Sequence, residues 1–193
     1  RLYQSTSTIK IKKDLKSLTD KKYFIAVGRL TKQKNFKYLI DEFCNFAKKN
    51  NDYDLLIFGE GEEKSRLINQ INKKNLDKRV LLMGHSTDIY YHMKKASAFI
   101  LSSLWESPGF VIIEAALCNL FVISSDCEDG PKEFLQNGNA GWLFKSNREH
   151  ALQNKLEDFI TLNEKINLKK IKAKRSSLKY TMFRHYLYLR DIL

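Results

Sequence analysis

Short, continuously apolar runs alternate along this chain with stretches whose apolar residues recur every three or four positions, and few architectures accommodate that alternation. Tyr23 to Val27 is the first such run and ends at Gly28; from Asn35 to Lys49, Phe36, Leu39, Ile40, Phe43 and Ala47 then share one helical face. The unit recurs with Asp54 to Phe58 before a helix from Glu62 to Lys74, and Arg79 to Met83 before one near Asp88 to Lys95. Ala98 to Leu101 precedes a helix opening at Gly109, and Leu120 to Ser124 precedes a short helix at Pro131 to Gln136 and a small strand at Trp142 to Phe144. A strand that is apolar on both faces must be covered on both, so the pattern predicts a Rossmann-like α/β domain: a parallel sheet with helices on both faces. Ligands of such sheets sit at the carboxyl ends of the strands.

At 193 residues the chain suits one domain of this kind. The expected division is a linker or inter-domain segment over residues 1–21, the Rossmann-like α/β domain over 22–165, and a basic helical tail over 166–193. Because the first residue is Arg1 rather than Met, a preceding natural segment is expected. Lys and Arg number 34 against 22 Asp and Glu, a net charge of +12. Such a surplus suits an anionic partner, although a general Lys bias produces it equally well. Cys44, Cys118 and Cys127 fit neither a zinc knuckle nor a CxxC pair, which points to reduced thiols and a cytoplasmic protein. No apolar run approaches the roughly 20 residues of a membrane-spanning helix.

The segment Trp105 to Ala115, WESPGFVIIEA, carries the most chemistry. Pro108 and Gly109 suit a tight turn into a helix, and the free amides of Gly109, Phe110 and Val111 at its first turn form an anion site. Glu114 stands four residues after Phe110 and shares a face with that turn. Carboxylates at Glu106 and Glu114 would repel phosphate, but they suit the hydroxyls of a sugar and a ribose flanking a diphosphate. Glu149 and Glu157 repeat the spacing without the Pro-Gly turn or a preceding strand. Context therefore matters more than spacing.

ESPGFVIIEA resembles the E-x7-E motif of the glycosyl transferase group 1 family. VGRLTKQKN, from Val27 to Asn35, is similar to that family's VGRL…QKG or QKN segment, and SSDCEDGPKEFLQNG, from Ser124 to Gly138, to its downstream loop. The resemblance implies the C-terminal, nucleotide-sugar-binding half of a GT-B fold. It implies a retaining, metal-independent hexosyltransferase with no cofactor. The donor would be a nucleotide-diphosphate sugar, a UDP-sugar first among them. The acceptor would be a glycan or lipid-linked molecule of cell-surface polysaccharide synthesis, held by an N-terminal domain absent from this chain.

Carried over residue by residue, the resemblance gives Arg29 and Lys34 the donor diphosphate and places Gly28 beside them. Glu106 takes the transferred sugar and Glu114 the ribose. The amides at Gly109, Phe110 and Val111 meet sugar and phosphate, and Gly84 and His85 lie near the base. Glu106, Arg29 and Lys34 form the catalytic set. The ESPGF version inserts Ser-Pro where the family commonly has EGFG, which leaves the amide register at Gly109 open.

Several signals are set aside. Asp52-Tyr53-Asp54 is a formal DxD, but it precedes its strand, away from the ligand crevice, and reads as a solvated turn. Gly59-Glu60-Gly61 begins a dinucleotide fingerprint that Glu62 and Glu63 do not continue. His85 and His92 have no third ligand at metal spacing. The basic stretch from Lys165 to Arg175 and the aromatic residues after it suggest peripheral contact with the cytoplasmic face of an anionic membrane, or a solvated terminal helix. The competing reading is a non-catalytic basic module for nucleic acid or membrane, and the chain carries no nucleic-acid-binding motif.

Overall fold

The computed structural model describes residues 21–107, 109–127, 129–162 and 164–180. The expected linker thus lies outside the described residues except for Lys21, as do the aromatic residues beyond Tyr180. Six strands form one sheet: β1 (Lys22–Val27), β2 (Tyr53–Phe58), β3 (Val80–Gly84), β4 (Ala98–Leu101), β5 (Phe121–Ser125) and β6 (Trp142–Phe144). Seven α-helices are described: α1 (Phe36–Ala47), α2 (Lys64–Lys73), α3 (Ile89–Lys95), α4 (Phe110–Leu117), α5 (Pro131–Phe134), α6 (Ala151–Thr161) and α7 (Glu164–Ser177).

All pairings are parallel, and the order is β3-β2-β1-β4-β5-β6. The chain winds outward from β1 in one direction, then returns to β4 and winds in the other. The β1/β4 junction, where Phe24 faces Ala98 and Ile25 faces Phe99, is therefore the topological switch point where a crevice opens.

Alternation along each strand divides the core in two. Phe24, Ala26, Leu55 and Ile57 point to one face, under α1, α2 and α6; Tyr23, Ile25, Leu56 and Phe58 point to the other, under α3, α4 and α5. On the first face Phe24 stacks on Tyr53 at 4.9 Å and meets Phe46 and Phe159 edge-on at 5.8 and 5.6 Å. Helix α7 places Ile166 in the first core and Ala173 in the second, so it joins the two faces, and the boundary expected at 165/166 falls inside it.

Two local arrangements differ from expectation. The DxD-like segment is not a solvated turn: Tyr53 and Asp54 open β2, and Asp54, 1% exposed, accepts from Arg79 Nε at 2.8 Å. Its pairing with β1 requires that burial, and a guanidinium that also donates to the carbonyls of Asn50 and Tyr53 satisfies the charge. Glu42 lies on the inner face of α1, where its Oε1 accepts from the His150 amide and its Oε2 from those of Leu152 and Gln153, each at 3.1 Å. A side chain from α1 thereby caps α6, whose own flanking residue supplies no cap.

Candidate functional site

The site forms where the β1 and β4 loops meet, and it is tied together from both sides. After β1 the chain makes a single 3-10 turn over Lys32–Lys34 and enters α1 through Asn35 in the left-handed conformation. The Leu104 amide donates to Gln33 O at 2.8 Å, Gln33 Nε2 to Trp105 O at 2.9 Å, and Ser102 Oγ to Lys34 O at 2.8 Å. These bonds fix the Lys34 backbone against the end of β4.

From that position the Lys34 side chain runs across Gly28: a Cβ there would stand 3.1–3.3 Å from three of its methylenes. Its Nζ donates to Glu106 Oε1 at 2.5 Å, with Glu106 only 6% exposed. Ser103 Oγ donates to the same oxygen at 2.5 Å. Beside Glu106, Gly109 adopts φ 75°, ψ 52°, a left-handed conformation that favours glycine, and α4 begins at the next residue. The first helical residue after the ESPGF departure is thus Phe110. No side chain among the described residues caps α4; the Ile112 amide donates to Gly109 O at 3.0 Å, and the start of the helix carries the partial positive charge of a helix end. A cation, a positive helix terminus and a buried carboxylate thus converge at the switch point, which suits an anionic group bonded to a hydroxylated one.

The structure brings Gly28, Lys34, Glu106 and Gly109 together, with the first turn at Phe110 and Val111 beside them. Arg29 extends from the same loop: its carbonyl accepts from the Thr31 amide at 2.8 Å, while its exposed side chain makes no hydrogen bond or ion pair among the described residues. Glu114, half-buried on α4, accepts from Tyr90 Oη of α3 at 3.2 Å, and its charge holds the Tyr90 phenol above its ordinary pKa, with burial adding to the effect. Gly84 closes β3 with φ 69°, and exposed His85 follows it. His92 does not reach the site. It is 2% exposed, stacked on Phe58 at 4.8 Å, and burial lowers its pKa.

Sequence reasoning missed two groups. The Gly59-Glu60-Gly61 segment, set aside as a broken fingerprint, is where the β1 and β2 loops touch: a Cβ on Gly59 would stand 1.9 Å from Gly28 O and one on Gly61 2.4 Å from Leu30 O. Gly28 and Leu30 donate their amides to Phe58 O and Glu60 O, at 3.0 and 2.9 Å, across that contact. The other group is the buried serines at the ends of β4 and β5. Their only signal was polarity at the end of an apolar run. No group of three or more His, Cys, Asp or Glu residues able to hold a metal ion occurs among the described residues.

The model of the family described as "Glycosyl transferases group 1" matches residues 7–176. The chain belongs to that family. An uncharacterized glycosyltransferase of Methanocaldococcus jannaschii is 43% identical over 112 residues, 58% of this chain and 28% of that protein. The N-acetylgalactosamine-N,N'-diacetylbacillosaminyl-diphospho-undecaprenol 4-alpha-N-acetylgalactosaminyltransferase of Campylobacter jejuni is 32% identical over 173 residues, 83% of this chain and 47% of that enzyme. The chain thus spans less than half the length of these relatives. Among solved structures, the C-terminal domain of the group 1 glycosyl transferase LpcC from Francisella tularensis superposes with a TM-score of 0.76 at 20% identity, covering 90% of this chain and 92% of that one. The fold of this group 1 chain is therefore the Rossmann-like fold of GT-B glycosyltransferases, as the motifs implied.

Proposed function

We propose that this chain is the donor-binding part of a retaining glycosyltransferase that uses a nucleotide-diphosphate sugar. The observation that carries the reading is the meeting of Lys34, Glu106 and the uncapped start of α4 at the β1/β4 switch point. In it, Lys34 and Arg29 hold the diphosphate together with the amides of Gly109, Phe110 and Val111, a fixed positive environment that favours charge developing on the leaving group. Glu106 accepts a hydroxyl of the transferred sugar and Glu114 a ribose hydroxyl, while Gly84 and His85 border the base.

The donor proposed first is a UDP-sugar, bound without a metal or cofactor, and the acceptor is a glycan or lipid-linked molecule held by an N-terminal domain. The Campylobacter relative, whose name specifies a diphospho-undecaprenol acceptor, supports a lipid-linked acceptor in cell-surface polysaccharide synthesis. The test is thermal melting of the chain with UDP-, GDP- and ADP-sugars: a matching donor at 100 times its Kd stabilises by about 2.7 kcal/mol. No stabilisation by any of them refutes donor binding. Retention is tested separately, by the anomeric configuration of the product formed by the full-length enzyme.

A peripheral membrane contact is a second, additional reading. Helix α7 exposes Leu168 and Ile171, 59% and 48%, next to exposed Lys172 and Arg175, and apolar residues bordered by cations suit an anionic bilayer surface. No helix among the described residues is long and apolar enough to cross a membrane. Equal sedimentation with neutral and anionic vesicles removes this reading. Family membership makes a purely non-catalytic basic module the weaker alternative.

A further inference from the structure

We propose that Ser103 is a positioning residue that divides the labour of the two Glu106 oxygens, keeping one for the protein and leaving the other for the donor sugar. The inference rests on the donor-binding reading above. Four serines at the ends of β4 and β5, Ser102, Ser103, Ser124 and Ser125, are at most 1% exposed. Two of them form a relay toward the crevice, and a third braces its wall. Ser125 Oγ donates to Ser103 O at 2.7 Å, Ser103 Oγ donates to Glu106 Oε1 at 2.5 Å, and Ser102 Oγ holds the Lys34 carbonyl at 2.8 Å.

Glu106 Oε1 receives both Ser103 Oγ and Lys34 Nζ, whereas Oε2 receives no donor among the described residues. That free oxygen faces Gly109, 3.7 Å from where a Cβ would stand, beside the open end of α4. The two anchors of Oε1 are unequal. Lys34 is a long, flexible cation, and a bound diphosphate competes for it directly. A hydroxyl that is buried, short and braced from β5 has no such competitor. When phosphate draws Lys34 away, Ser103 is what keeps the carboxylate from rotating, with Oε2 still directed at a sugar hydroxyl. Without that hydroxyl the orientation would have to be fixed by the substrate itself, and only the sugar half of the donor would register the loss.

The experiment compares two affinities in each protein by calorimetry: for UDP-glucose, GDP-mannose and ADP-glucose, and for the corresponding UDP, GDP and ADP. In Ser103→Ala the affinity for the sugar nucleotide should fall about fivefold or more while that for the bare diphosphate stays within about twofold. Ser125→Ala should move the same ratio in the same direction by less, and it carries the test if Ser103→Ala does not fold. Ser124→Ala, whose hydroxyl donates to the neighbouring Ser125 carbonyl, controls for a lost buried hydroxyl and should leave the ratio unchanged. Equal loss of both affinities, or no loss, overturns the assignment of Ser103. Failure of the unsubstituted chain to bind any of the pairs overturns the donor reading instead.

Discussion

Lys34 and Glu106 are separated by 72 positions in sequence, yet their charged atoms lie 2.5 Å apart, with side chains 14% and 6% exposed. The pair spans the switch point, so under the proposed function a diphosphate bound there competes with Glu106 for the lysine. Lys34→Ala should weaken nucleotide-diphosphate binding by about 1.5–3 kcal/mol, measured by calorimetry. Because the two groups act on each other, Glu106→Gln on that background should cost less than it does alone, and full additivity in a double-mutant cycle would argue against coupling.

Glycines at positive φ should differ in tolerance according to what surrounds them. Gly59→Ala would drive a methyl into the Gly28 carbonyl, 1.9 Å away, and should cost at least about 3 kcal/mol in urea unfolding. Gly138 has φ +94° but nothing within 4 Å of where a methyl would stand, so Gly138→Ala should cost about 1 kcal/mol from backbone strain alone.

His92 should make stability depend on pH. Its folded pKa is depressed from 6.5, chiefly by burial, with Asp88 opposing, and its Nδ1 is buried without a hydrogen-bond partner among the described residues. Above pH 6.5 the ring is neutral in both states and its contribution to stability is intact. As pH falls below 6.5 the unfolded chain takes up a proton that the folded one resists, and stability declines until the folded pKa is passed. The decline approaches about 1.4 kcal/mol per pH unit for one proton. His92→Phe, which can keep a ring against Phe58, should flatten the difference between unfolding curves at pH 7.5 and 5.5.

Glu42→Ala removes the carboxylate that accepts from three backbone amides at the start of α6 and should lower stability by about 2–3 kcal/mol in urea unfolding. A loss under about 0.5 kcal/mol would mean that water replaces the carboxylate there.

Donor binding should persist in excess EDTA, since the proposed diphosphate contacts are Lys34, Arg29 and backbone amides. A loss restored by magnesium or manganese would require a different account of how the charge is held.

The architecture was legible because its signals are local. Ala98–Leu101 and Trp142–Phe144 stand out as apolar runs between turn-forming residues, and the structure places strands over those same residues. The motif segments led to Lys34, Glu106 and Gly109, which the fold brings together. What escaped depends on distant partners. Nothing near Asp54 announces that Arg79 will pair with it, and nothing near Glu42 announces that α6 will begin beside it. Gly59 and Gly61 looked like part of a phosphate motif because glycine marks close approach without naming what approaches. Nothing in the sequence singles out Ser103, since a serine's hydrogen-bond partner is set by the fold.

Helix α7 has a consequence for how the domain comes apart. With Ile166 in one core and Ala173 in the other, neither side of the sheet can loosen without disturbing a helix that the opposite side also holds. The two layers should therefore melt as a single cooperative unit, with fluorescence and circular dichroism tracing the same transition. Breaking α7 with proline at Lys170 should separate the two curves, turning one melting event into two.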